Sequence, residues 1–235
     1  MFAVDEPSKA LAQIKSYRDD GSMERAEVFA SAFVDRALLD KKRDEENQGY
    51  LVEGARLLTD ILYRRGKFKR AKAAMSILHK ERRKLGLMTG TKDPSIGDDH
   101  LLHGRILASL GKKRSATKCF SKVQKFIPGH LGAAIEACSG EKVSGSALKV
   151  LESCLEAAGD PIVFNDSAIF QSSSGVTCSA EQAISVLEKN NSKFAQQYRQ
   201  KLNSLLHAEA ERSARLAAAI DNLAPTVDYH SYSRN

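Results

Sequence analysis

The stretch Gly66-Lys67-Phe68-Lys69-Arg70-Ala71 decides the fold, because it recurs. Gly21-Ser22-Met23-Glu24-Arg25-Ala26 precedes it and Gly111-Lys112-Lys113-Arg114-Ser115-Ala116 follows it, with successive glycines 45 residues apart and an alanine five residues after each. Apolar residues recur at helical spacing on both sides: Leu57, Leu58, Ile61 and Leu62 before the second glycine, Met75 and Leu78 after it. The pattern predicts two antiparallel helices joined by a tight turn. The glycine suits the left-handed geometry in which a first helix ends. A hairpin closes tightly only where a small side chain sits at the helix crossing, the role expected of Ala26, Ala71 and Ala116. A larger residue one turn on, Met75 or Phe120, would wedge between neighbouring units.

Working outward, the third unit resembles a tetratricopeptide repeat (TPR) through Gly104, Gly111, Ala116, Phe120 and Pro128, including the A-x3-F pattern and the closing proline. The second is similar through Leu58, Gly66, Phe68, Ala71 and Met75, and the first through Tyr17, Gly21, Met23 and Ala26. A fourth, degenerate hairpin can be drawn from Leu131 to Leu155 with Ala147 at its crossing. The resemblance implies an all-α solenoid of three to four TPR-like hairpins over residues 7–158 that binds proteins and is not an enzyme. TPR units repeat every ~34 residues, so a 45-residue step leaves about 11 extra in each. These fall in Asp40–Tyr50, read as a solvated helix extension, and in Gly86–Ile96, read as a loop. A HEAT-type repeat has about this period and is the alternative architecture. The stretch Gly111-Lys112-Lys113-Arg114, with Phe120, Val123, Pro128 and Leu131, also resembles an early repeat of the anaphase-promoting complex subunit seven family. That likeness implies a non-catalytic scaffold in a nuclear ubiquitin-ligase assembly, dimerising through its N-terminal repeats.

The C-terminal third follows another grammar. Residues 159–178 read as an irregular connection carrying the apolar pieces Ile162-Val163-Phe164 and Ile169-Phe170. Ser179 and Gln182 form a capping-box start for a helix to about Glu188. Ser192 is placed to cap a long helix ending near Leu223, so that helices are expected over 179–223. Its stripe of Phe194, Tyr198, Leu202, Leu205, Leu206, Leu216 and Ile220 is expected to pack on the solenoid end or on a partner. Ala224-Pro225 would stop it, leaving 224–235 as a flexible tail.

The charge is unevenly distributed. The 235-residue chain carries 36 Lys+Arg and 29 Asp+Glu, a formal +7. Between Arg56 and Lys125 there are 19 basic and 5 acidic residues, a local +14, while the remainder balances at −7. Arg64, Arg65, Lys67, Lys69, Arg70 and Lys72 surround the second turn, and Lys112, Lys113, Arg114 and Lys118 surround the third. Stacked turns would align these residues as a basic ridge, attractive to an acidic protein segment. Neutralisation of the ridge within the chain or its assembly is the plainer reading. A nucleic-acid-associated helical-repeat protein binding through residues 64–72 and 112–118 is the alternative, weakened by poor aromatic interleaving. A TPR concave face is lined by the first helix of each unit, which nominates Lys15, Arg18, Arg56, Asp60, Tyr63 and Arg105 as a partner-binding groove. Asn is missing from these helices, which disfavours a chaperone-carboxylate clamp but leaves an acidic peptide in the groove.

Catalytic chemistry leaves no trace: there is no Gly-rich phosphate loop, no G-x-S-x-G and no H-E-x-x-H. No catalytic residue and no cofactor is expected. His100 and His103, with Asp98 and Asp99 nearby, could form a metal site, but they occupy packing positions of a first helix, and no metal is expected. Cys119, Cys138, Cys154 and Cys178 lie 19, 16 and 24 residues apart, as for small buried thiols rather than zinc ligands. No run approaches the ~18–20 apolar residues of a membrane span. The first six residues carry two acids in place of a signal peptide's basic head. An intracellular protein of the nucleus or cytoplasm is expected, acting with protein partners as a homodimer or as a subunit of a larger complex.

Overall fold

The computed structural model describes residues 6–41, 43–86, 93–139, 143–164, 167–172 and 175–223. Eight helices build four successive hairpins: α1 (Pro7–Asp19) with α2 (Met23–Leu39), α3 (Glu45–Arg64) with α4 (Phe68–Lys84), α5 (Pro94–Ser109) with α6 (Lys113–Phe126), and α7 (Leu131–Cys138) with α8 (Gly145–Ala158). The repeated glycines make the turns. Gly66 and Gly111 both have φ near +71°, and Gly21 has +83°, the left-handed region open to glycine. Their geometry closes a Schellman-type end: Gly66 N–H donates to Tyr63 O and Lys67 N–H to Leu62 O, and the third turn repeats this with Ala108 and Leu107. Ala26, Ala71 and Ala116 are buried at the crossings, as are Met75 and Phe120 one turn later.

The close approach of the helices is set by two further glycines. A Cβ at Gly104 would run into the Phe120 ring, and one at Gly54 would lie 2.6 Å from that of Phe33. The ring on the second helix of one hairpin thus packs on bare backbone, in the third unit against its own first helix and in the first against the next unit. The 45-residue period is taken up largely by helix. Asp44 caps α3 by accepting from Asn47 N–H at 2.8 Å, and α3 then runs for 20 residues. The extension expected in Asp40–Tyr50 is therefore helical from Glu45 onward, which puts Asn47 on a first helix, where the sequence reading found no Asn. Of the expected loop Gly86–Ile96, residues 87–92 lie outside the described residues, and Asp93 caps α5 from Ser95 N–H.

Residues 159–178 depart from the expected irregular connection. They contain an antiparallel three-stranded meander, β1 (Ile162–Phe164), β2 (Ser167–Gln171) and β3 (Thr177–Ser179), with Ile162 opposite Ile169 and Phe170 opposite Cys178. The sheet is held because alternation along β2 sends Phe170 inward, where its ring meets Tyr198 edge-on at 5.4 Å. Then come α9 (Ala180–Lys189), capped by Ser179, and α10 (Ala195–Leu223), whose entry is set by Ser192 accepting from Phe194 N–H.

Buried apolar side chains form two clusters. One runs from Leu11 to Leu78 with Ile106. The other joins α5 and α6 through α7 and α8 to Phe170, α9, Tyr198 and Leu202. The meander and the last two helices thus share a core with the fourth hairpin. The expected stripe on α10 divides: Tyr198 and Leu202 are buried, whereas Leu206, Leu216 and Ile220 are exposed. The expected tail, residues 224–235, lies outside the described residues. No helix among those described is long and apolar enough to cross a membrane.

Candidate functional site

Helices α1, α3 and α5 bring most of the expected groove residues together. A cavity of about 380 Å³ is lined by Arg18 from α1, Arg56 and Asp60 from α3, and Arg105 from α5. The sequence reading missed the rest of the lining. Glu53, Asp98 and Asp99 add carboxylates, and Leu57, Leu101 and Leu102 form an apolar floor. Lys15 lies outside the cavity, paired with Glu53 at 3.1 Å. Tyr63 packs at the turn on Phe68, 5.8 Å between ring centroids.

The cavity is balanced rather than basic. Arg56 bridges Asp98 and Asp99, each at 3.2 Å, and Arg105 meets Glu136 at 2.7 Å. Asp60 holds Arg64 at 2.9 Å, which draws one ridge cation to the cavity edge. Asp99 is deeply buried and also touches Arg82 of α4 at 2.7 Å. Burial pushes the Asp99 carboxyl up to about 6, with the Arg82 and Arg56 guanidiniums pulling the other way. This network ties α3, α4 and α5 together at the base of the cavity.

The ridge splits into two unlike halves. At the second turn, Arg65, Lys67 and Arg70 all converge on Glu27 of α2, at 2.6 Å for Arg65 and 2.7 Å for Lys67. Arg65 also reaches Glu24 at 2.9 Å. Burial pushes the Glu27 carboxyl up, but the Lys67 hydrogen bond and the Lys67, Arg65 and Arg70 charges outweigh this and hold it below the usual carboxylate value. These cations lock the first hairpin to the second. At the third turn, Lys112, Arg114 and Lys118 are exposed and meet no carboxylate among the described residues. Lys69 on α4 is likewise exposed and unpaired among them. The Lys112 ammonium lies beside that of Lys72 and pushes the Lys72 pKa down. Lys113 is exposed beside them.

Behind this edge His100 and His103 of α5 pack where the sequence places them. They share the seam with His79 of α4: the His79 ring is 5.6 Å from His100 and 5.2 Å from His103, and His100 lies 5.7 Å from Phe126. Burial pushes His79 and His100 down to about 4, with Lys122 and Arg82 adding repulsion, so these rings are neutral at pH 7. No group of three or more His, Cys, Asp or Glu side chains among the described residues is arranged to hold a metal ion. Cys119, Cys138 and Cys154 are buried and Cys178 is partly so, with burial pushing Cys138 and Cys178 up to about 11.

No family profile matches the sequence, and no curated protein matches it. Among solved structures, a Podosopora anserina protein described as a kinesin light chain with nearly identical TPR-like repeats superposes with a TM-score of 0.63 at 13% identity. The match covers 88% of this chain and 99% of that one. A single-substitution form of that protein gives the same TM-score of 0.63 at 12% identity, covering 88% of this chain and 96% of its own. The chain therefore has the TPR-like solenoid fold that the glycine–alanine repeat foretold.

Proposed function

We propose that this chain is a protein-interaction scaffold that docks an acidic, extended segment of a partner on the edge formed by Lys69, Lys72, Lys112, Arg114 and Lys118. The observation that carries this reading is the contrast between the two turns. At the second turn Arg65, Lys67 and Arg70 are consumed by Glu27 and Glu24, while Lys72 and Lys112 lie side by side across α4 and the α5–α6 turn, and Lys112, Arg114 and Lys118 meet no carboxylate among the described residues. Adjacent ammoniums repel, and an anionic side chain between them relieves that repulsion at little conformational cost. The cavity framed by Arg18, Arg56, Asp60 and Arg105 serves the same partner as a polar continuation, in which incoming groups exchange with the existing ion pairs. TPR-like solenoids offer such surfaces for proteins, and no residue here is assigned a chemical step. The resemblance to the anaphase-promoting complex family supports a finer version, a subunit of a nuclear or cytoplasmic assembly, to be checked by affinity purification from cells.

Fluorescence anisotropy with a labelled Glu-rich peptide tests the docking surface. The expected result is salt-sensitive binding that K112E/R114E weakens about tenfold at low salt, since reversal turns two exposed attractions into repulsions. R64E, on a residue already paired with Asp60, should change it little. Equal loss from both variants refutes the assignment. Tighter binding to single-stranded nucleic acid than to the peptide would favour a nucleic-acid-associated protein instead.

A further inference from the structure

Helix α10 leaves the fold after its first eight residues. Its first turns are anchored: Tyr198 and Leu202 enter the core, Arg199 pairs with Glu181 at 2.5 Å and Glu188 at 2.8 Å, and Lys201 pairs with Asp160 at 2.5 Å. From Asn203 to Ile220 the helix is almost wholly exposed, including Leu206 (49%), Leu216 (56%) and Ile220 (65%). These 18 residues span about 27 Å at 1.5 Å per residue and lack the tertiary packing that supplies most helical stability in proteins.

The exposed stripe continues the buried one. Leu202, Leu206, Glu209, Ser213, Leu216 and Ile220 are separated by four, three, four, three and four residues, the heptad spacing of a coiled-coil seam. The intrahelical pairs lie on the opposite face, with Glu211 near His207 at 3.5 Å and Arg215 at 3.4 Å. The seam is therefore amphipathic, in register with a packed interface, and uncovered among the described residues.

We propose that the exposed part of α10, from Asn203 to Ile220, is a self-association surface that pairs antiparallel with the same segment of a second copy of this chain. Charge along the seam selects both occupant and direction. In an antiparallel pair one offset sets Leu206 opposite Leu216 and Glu209 opposite Ser213, each contact occurring twice by symmetry. The Ser213 hydroxyl then donates to the Glu209 carboxylate of the other copy, and Arg212, one position away, supplies its counter-charge. A parallel pair instead sets Glu209 against its own copy at the centre of the seam, where like charges repel. The antiparallel arrangement also carries the two solenoids to opposite ends of the helix pair. This surface is independent of the acidic-segment reading.

Sedimentation equilibrium on the full chain tests it, with far-UV circular dichroism and thermal unfolding reporting the fold. The expected result is a reversible dimer weakened about a hundredfold or more by L206D/L216D, whose side chains lie outside the core, through loss of their mutual burial. E209R alone should weaken it about tenfold, and E209R/R212E should restore it. Cysteine pairs give the direction. Under mild oxidation the L206C/L216C chain should form a covalent dimer, whereas L216C alone should not. A monomer at every concentration, a dimer unaffected by L206D/L216D, or efficient crosslinking by L216C alone would each overturn the proposal.

Discussion

Removing the Glu27 carboxylate tests whether the second-turn cations are structural. The Glu27 side chain is 7% exposed and accepts from three cations whose own exposures decide their share: Arg65 at 21%, Lys67 at 36% and Arg70 at 56%. Exposed pairs contribute about 0.2–1 kcal/mol, so Lys67 and Arg70 add little more than that each. Arg65, held more tightly, is worth about 1.5–3 kcal/mol as a charge-assisted hydrogen bond. Glu27→Gln keeps the shape and part of the hydrogen bonding, and should cost roughly 2–3 kcal/mol. Urea unfolding at pH 7 measures this. The loss should shrink at acid pH: the folded carboxyl lies below its unfolded value of 4.5, so its stabilisation is present above 4.5 and fades as pH falls through the folded value. The same variant frees Lys67 and Arg70, leaving Arg65 on Glu24, and should therefore strengthen binding to a Glu-rich peptide. A cost under about 0.5 kcal/mol with unchanged peptide binding would refute the claim that Glu27 silences this half of the ridge.

Other consequences are as specific. Gly104→Ala drives a methyl group into the Phe120 ring and should cost about 1–3 kcal/mol, with recovery in the Phe120→Leu background; an unchanged unfolding midpoint would contradict the packing. His79 and His100 are held near 4 against an unfolded value of 6.5, so the unfolded chain binds more protons between those limits. Stability should fall on acidification from pH 6.5 to 4, by about 5 kcal/mol from the two rings less about 2 kcal/mol from Asp99, whose folded value near 6 works in the opposite direction, a net loss on the order of 3 kcal/mol. A His79→Leu/His100→Leu variant should flatten that slope, and an unaltered slope would exclude the histidine seam as its source. Ser179→Ala removes the acceptor for Gln182 N–H and should cost about 1 kcal/mol, read by thermal unfolding.

Much of the solenoid is legible in the sequence because its signals are local. A glycine at positive φ and an alanine five residues later describe one turn and one crossing, and both recur unaltered at Gly66/Ala71 and Gly111/Ala116. The meander is not legible, since strands of three to five residues separated by polar residues carry too few alternations to register as a period. The site shows the same division. Which helices line the cavity follows from the repeat, and Arg18, Arg56, Asp60 and Arg105 meet there. Which cations remain free does not follow, because Glu27 lies 38 to 43 residues from its three partners and reaches them only after the hairpins stack. His100 and His103 read as packing residues, but His79 joins them from another helix at no fixed spacing.

The most direct test of the account is to map a Glu-rich peptide onto the chain by amide chemical-shift perturbation during titration. The account predicts shifts concentrated at Lys69, Lys72, Lys112, Arg114 and Lys118 and extending toward the cavity at Arg56 and Arg105, with the Arg65–Glu27 cluster unmoved. Shifts centred on Arg65, Lys67 and Arg70, or none at saturating peptide in low salt, would contradict it.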